Sequence, residues 1–364
     1  YLTLMFLLRD FPYHFITEWI FLLLNTYAFC VTICQGVFRE PDPITKKSAI
    51  GYIVIDRLCI RRRISMTTDK LRWFKIAFQM RGSVIQAIMP LVIFCSSFAF
   101  IISFLYAQGF SVSFRTGSII PSIVLGLLLV FRTNTAYERF WEGRKLWGNL
   151  VNTLRNLARQ IWVNVDEKEP NDLQEKKEIL RLLTAFAVAL KLHLRQEQIN
   201  EELAELISPS QYEILQRMNN NPPIEISFWI SDYLNRQHDR GCLDVYQLTA
   251  MNGLINFLID VLGGCERILR TPIPLAYAIH LKQLLLLYCL LLPFEMVKDF
   301  GWGLAFVMGI ISFTLFGIEA IGIEIENPFG RDPNDLPLDT ICNTIKRNIN
   351  DLISLPPSVH DHVK

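Results

Sequence analysis

The chain has 364 residues, of which 51% are hydrophobic, and 36 Lys and Arg stand against 35 Asp and Glu. A net charge of +1 provides no field for nucleic acid. Two or three soluble domains would suit the length, but the apolar residues are gathered into stretches long enough to cross a bilayer, so a membrane protein is expected instead. There is no GxSxG, HExxH, Walker loop or Rossmann glycine pattern, which argues against an enzyme and against a bound cofactor. Eight Cys occur without a CxxC pair, so they read as small apolar side chains, with no disulfide framework and no metal site.

Residues 1–65 form an N-terminal extension and 66–364 the main module. Phe15 to Cys34 is largely apolar with Glu18 inside it, and reads as an extra span or a helix lying on the membrane. Cys30 and Cys34 share one face of it. Pro41 and Pro43 mark a loop. Arg57, Arg61, Arg62 and Arg63 read as a solvated face or an anchor at an anionic membrane surface. "DKLRWFKIAFQMRGS" is basic, which places it on the cytoplasmic side.

The first clear span is 84–107, with no charged residue. "QGFSVSFRTG" links it to a second at 117–135, after which Arg132, Arg139, Arg144 and Lys145 follow closely. The two spans therefore form a hairpin with both ends in the cytoplasm. Residues 136–276 read as a cytosolic helical region. Leu182, Leu183, Phe186, Leu190 and Leu194 recur at helical spacing, and Glu175 to Glu178 read as a solvated first turn. "INEELAELI", "QYEILQRM", "EISFWISDYLNRQ" and "DVYQLTAMNGLINFLIDVLGGCERIL" are further helices. Two more spans, 277–297 and 300–323, are joined by "KDFGWG", and Glu324 and Glu326 return the chain to the cytoplasm. The fold class is an all-α, four-span, multi-pass membrane protein with its core termini inside. His360 and His362 lie in a polar tail with no Cys near them.

"IIPSIVLGLLLVFRTNTAYERFWEGRKLWGNL", residues 119–150, changes character within one helix. Ile123, Leu127 and Phe131 share a face in the apolar half. Beyond them Ala136, Phe140, Trp147, Val151 and Leu154 make an apolar stripe, and Glu138, Glu142, Lys145, Asn149 and Asn152 a polar one. The pattern fits a helix lining a water-filled vestibule. It equally fits a plain span followed by a helix facing bulk water.

Three segments carry a resemblance. "FRTNTAYERFWEGRKLWGNL", "GCERILRTPIPLAYAIHLKQ" and "ENPFGRDPNDLPLDTICNTI" occur in the order found in the bestrophin family, and resemble its prokaryotic and plant branch from about Arg72 to Asn350. The resemblance implies a homopentameric ion channel in a cell or thylakoid-type membrane. Its second helix would form a hydrophobic neck and then line a cytosolic vestibule. By resemblance Ile123, Leu127 and Phe131 are the neck, Ile226 or Ile230 the cytosolic aperture, and Glu138, Glu142, Lys145 and Asn149 line the vestibule. The permeant species implied is chloride or another small monovalent anion, with a monovalent cation as the alternative; the partners are lipid and further copies of the chain. Animal members bind calcium after "NPFG". Here Arg331, Pro333 and Pro337 interrupt Asp332, Asp335 and Asp339, so a turn and helix cap around Asp339 is expected instead of a cation site. Glu266 and Arg267 are expected in interhelical ion pairs or a subunit contact. A membrane-embedded enzyme or scaffold would draw on His280, Lys282, Glu319 and Glu324, which show no recognised catalytic spacing.

Overall fold

The structure is a computed structural model that describes residues 79–80, 82–110, 119–217 and 221–355, without the side chains of 119 and 120. The chain divides into units 1–76 and 77–364. Phe15 to Cys34, the basic cluster at Arg57 to Arg63, Arg115 and the two tail histidines lie outside the described residues.

Among the described residues the regular elements are helices: α1 (Ile85–Ala107), α2 (Ile119–Asn164), α3 (Asp172–Leu194), α4 (Glu201–Ala204), α5 (Pro209–Arg217), α6 (Pro222–Asp239), α7 (Val245–Arg270), α8 (Leu275–Phe300), α9 (Leu304–Glu324) and α10 (Leu338–Ile353). By length and composition Ile85–Ala107, Val245–Arg270 and the α8–α9 pair, Leu275–Glu324, are apolar enough to cross a membrane.

Two apolar clusters stack along α1, α8 and α9. The first joins Ile88, Val92 and Cys95 of α1 to Leu125 and Leu129 of α2, Leu281, Leu285 and Cys289 of α8, and Phe316 of α9. The second holds Ala99, Ile102, Met296, Val297, Leu304 and Met308. Pro90 and Pro293 sit inside α1 and α8, positions that membrane helices tolerate when neighbouring groups satisfy the freed carbonyls. The α8–α9 turn needs Gly301, whose φ of 47° is left-handed; the Ser103 hydroxyl donates to its carbonyl at 2.9 Å.

The larger core lies elsewhere. It joins the second half of α2 to α3, α6, α7 and α10 around Trp147, Leu154, Phe186, Ile230, Leu258 and Cys342. Helix α7 is apolar enough to span, yet Met251, Ile255, Leu258, Val261, Leu262, Cys265 and Ile268 all face this core. Its start is fixed by a capping box: Asp244 accepts from the Tyr246 amide at 2.8 Å, and Gln247 accepts from the Asp244 amide at 3.1 Å.

The start of α3 differs from the sequence expectation. Lys176 is buried, not solvated. Its ammonium donates to Glu167 Oε1 at 2.8 Å and stands 5.6 Å from the centre of the Trp162 ring. A buried ammonium survives only with such partners.

Candidate functional site

Helix α2 is continuous for 46 residues, roughly 70 Å at 1.5 Å per residue. A hydrocarbon core of about 30 Å covers less than half of that, so the helix must continue outside it. At 100° per residue two opposite faces run its length. Leu125, Leu129, Arg132, Ala136, Trp147, Leu150, Leu154 and Ile161 are buried on one. On the other, Ile123, Leu127 and Phe131 are 65%, 53% and 56% exposed, and the same line continues through exposed Glu138, Lys145 and Asn149. Glu142 lies on it too, but is half-buried and accepts from Arg267 Nη2 at 2.5 Å. Phe140 and Val151 are partly buried against the core. The apolar stripe expected from the sequence is thus the packed side of α2, and the polar stripe its open side.

The apolar and polar ends meet in a junction assembled from all three quoted segments. Arg132 donates through Nη2 to Glu326 Oε2 at 2.7 Å. Glu326 Oε1 accepts from the Ile273 amide at 2.8 Å. Arg139, two turns after Arg132 on the same face of α2, donates to the carbonyls of Glu326 at 3.2 Å, Ile268 at 2.5 Å, and Thr271. These arginines close the C-terminal end of α7 and the proline-containing link to α8, where helix carbonyls lack intrahelical partners. Gly143 completes the contact: a Cβ there would stand 3.1 Å from Pro328 Cγ and 3.2 Å from the Phe329 ring, and Phe329 is fully buried. Gly330 is equally constrained, since its Cβ would fall 2.6 Å from Asp335 Oδ2. In the sequence Arg132, Arg139 and Glu326 mark only where the chain leaves the membrane; the signal of their junction role is two arginines at i and i+7 on the packed face of α2.

The expected aperture residues need correction. Ile226 and Ile230 are fully buried in the larger core, where an ion cannot reach them. The open face of α6 carries Ile224 and Phe228 instead, 48% and 61% exposed. Asp339 also departs from its expected role. The N-cap position of α10 is Pro337, without a side-chain cap bond. The Asp339 carboxylate instead receives Lys191 Nζ at 2.9 Å and Arg195 Nη1 at 3.0 Å, and Lys191 also reaches Glu202 at 2.5 Å. Desolvation would push Asp339 up, but the bonds from Lys191 and Arg195 outweigh it and hold the carboxyl below its usual range. For Lys191 desolvation pulls down, and the two carboxylates more than offset it. Asp335 closes a turn by accepting from the Asp332 amide at 2.7 Å. Glu266 meets the expectation of an interhelical pair, with His193 Nε2 at 2.7 Å, Asn221 Nδ2 at 3.0 Å and Arg270 on its own helix at 3.3 Å.

The model of the bacterial and fungal bestrophin proteins matches residues 65–351. A voltage-dependent anion channel-forming protein of Nostoc is 64% identical over 298 residues, covering 82% of this chain and 97% of the relative. One of Synechocystis, similarly described, is 58% identical over 286 residues, 78% of this chain and 93% of the relative. The crystal structure of a bacterial bestrophin homologue from Klebsiella pneumoniae superposes with a TM-score of 0.66 at 32% identity, covering 75% of this chain and 100% of that one. The family segments identified in the sequence are those that the fold joins at the α2 junction, and the chain is an integral membrane protein that belongs to the bestrophin family.

Proposed function

We propose that the chain is one subunit of a homopentameric channel that passes chloride and similar small anions passively and responds to membrane voltage. One observation carries the reading. The open face of α2 is a single line that begins with exposed Ile123, Leu127 and Phe131 and continues as Glu138, Lys145 and Asn149, opposite a fully packed face. Five copies around an axis turn each of these three side chains into a ring. Such rings gate by dewetting, because an ion in them loses water and gains no ligand. Beyond them the same face is polar, as a hydrated cytosolic vestibule requires. Helices α1, the first part of α2, α8 and α9 are the four spans in this reading, with the core termini in the cytoplasm. The names of the Nostoc and Synechocystis relatives supply the anion and the voltage dependence. Passive conduction needs no catalytic group.

The test is the reversal potential of the purified chain in planar bilayers under a potassium chloride gradient. Reversal near the chloride potential is expected. Reversal near the potassium potential would make it a cation channel, and no current would end the channel reading.

A further inference from the structure

Arg132 directly follows the last neck residue, Phe131, and its side chain turns to the opposite face of α2. It is 4% exposed. Only Nη2 has a partner, Glu326; Nε and Nη1 are buried without a hydrogen bond. A guanidinium keeps its charge and carries five donors, and a buried donor left unpaired costs free energy. The side chain is therefore incompletely satisfied where it stands. Its stem lies over Gly322, where a Cβ would be 3.4 Å from Arg132 Cγ and 3.9 Å from Nε. That glycine has an acid on either side of it: Glu319 lies one turn earlier in α9, and Glu326 one turn later, just past the helix end. Glu319 is half-buried and within electrostatic range of both Arg132 and Lys282.

We propose that Arg132 is a gating charge, exchanging its Glu326 partner for Glu319 by passing over Gly322 when the membrane voltage changes. The proposal rests on the anion-channel reading and supplies its regulation. Glu319 and Glu326 are seven residues apart, roughly 10 Å along a helix axis. In that reading α9 crosses the bilayer, so the exchange moves positive charge along the field, which is how voltage does work on a protein. Glycine at 322 leaves the path between the acids smooth. The two positions give α2 two anchors, the discrete alternatives that a switch needs. With Arg132 on Glu326, α2 is tied through the second carboxylate oxygen to the Ile273 amide and so to the start of α8. With Arg132 on Glu319 that tie is released, while Arg139 keeps its own bonds to the carbonyls of Glu326, Ile268 and Thr271. Phe131 is the adjacent residue on the same helix, so a change of anchor at Arg132 re-aims the innermost neck ring.

Open probability against voltage, measured on the full chain in bilayers with symmetrical potassium chloride, tests this. Glu319→Gln and Glu326→Gln each remove one anchor, so their midpoints are expected to shift in opposite directions. Arg132→Met is expected to lose most of the voltage steepness, and Gly322→Val to slow the relaxation after a voltage step. Shifts of the same sign, an unmoved curve in Glu319→Gln, or full steepness in Arg132→Met would overturn the proposal. If Arg132→Met does not assemble, the signs of the two glutamine shifts decide. The reversal potential of the wild-type chain under a gradient keeps the two readings apart: chloride selectivity without voltage dependence removes the gating charge and leaves the channel, whereas absence of anion current removes the channel itself.

Discussion

Ile123, Leu127 and Phe131 are large apolar side chains that the subunit leaves more than half exposed. Their truncation therefore removes little of the subunit core. Replacing all three with Ala should raise open probability and weaken closure while the oligomer survives size exclusion. Were they packing residues, each truncation would cost roughly 2–5 kcal/mol and the assembly would be lost. Asp339 is a residue of another kind. Its carboxyl is held low by Lys191 and Arg195, so its bonds stabilise the fold above the ordinary Asp value of about 3.9 and are lost as pH falls through the lower value of the folded state. The opposite sign holds for Lys191, whose raised value keeps its contribution until strongly alkaline pH. Thermal unfolding of wild type against Asp339→Asn should show a difference that is constant around neutrality, begins to shrink below about pH 4 and is gone only once pH is below the lower folded-state value of Asp339. It should be small, about 1 kcal/mol or less, because the Asp339 side chain is 56% exposed. A difference that grows in acid would contradict this assignment.

Helix α2 works as an element because its packed face changes partners along its length. Leu125 and Leu129 meet α1, α8 and α9, whereas Trp147, Leu154 and Ile161 meet α3, α7 and α10. Between these lies the contact of Gly143 with Pro328 and Phe329. Gly143→Val should destabilise the detergent-solubilised protein by about 1–3 kcal/mol through overpacking. Phe329→Ala should cost about 3–5 kcal/mol from the opposite defect, a cavity. Differential scanning fluorimetry reads both, and a stable Gly143→Val would mean that the "NPFG" turn can retreat from α2. Helix α7 is the instructive contrast. It is apolar enough to span, but its buried positions face the same core as α3 and α6. The preceding capping box and the exposed Arg267–Glu142 pair suit a helix outside the hydrocarbon, where water solvates such charges.

For the whole molecule, the expected assembly is five copies with the open face of α2 inward. Light scattering of the detergent-purified chain should give a mass near five protomers; a monomer that still conducts would refute it. Cysteines introduced at Glu138 and Asn149 should react with a water-soluble reagent applied from the cytoplasmic side. Protection of both in an open channel would mean that this face is a packed contact instead of a vestibule wall.

The sequence by itself determined that the chain is helical and membrane-embedded, because long uncharged runs have few other solutions in lipid. It also determined which line of α2 is apolar, since periodicity fixes which residues share a face. The three family segments were legible as segments, and their glycines only as letters. Tertiary structure decided what those letters do. Gly143 had to meet Phe329, and Arg132 and Arg139 had to meet Glu326, across more than 180 residues of chain; no local pattern encodes such a pairing. The same limit explains Ile226 and Ile230. Helical spacing put both on one side of α6, but which side faces the core depends on where α3 and α7 lie against it. Lys176 follows the same logic: a charge reads as solvated until the fold brings Glu167 to it, and its burial becomes affordable only through partners that the local pattern does not reveal. Asp339 stays exposed and reads as a helix cap until the fold brings Lys191 and Arg195 to its carboxylate.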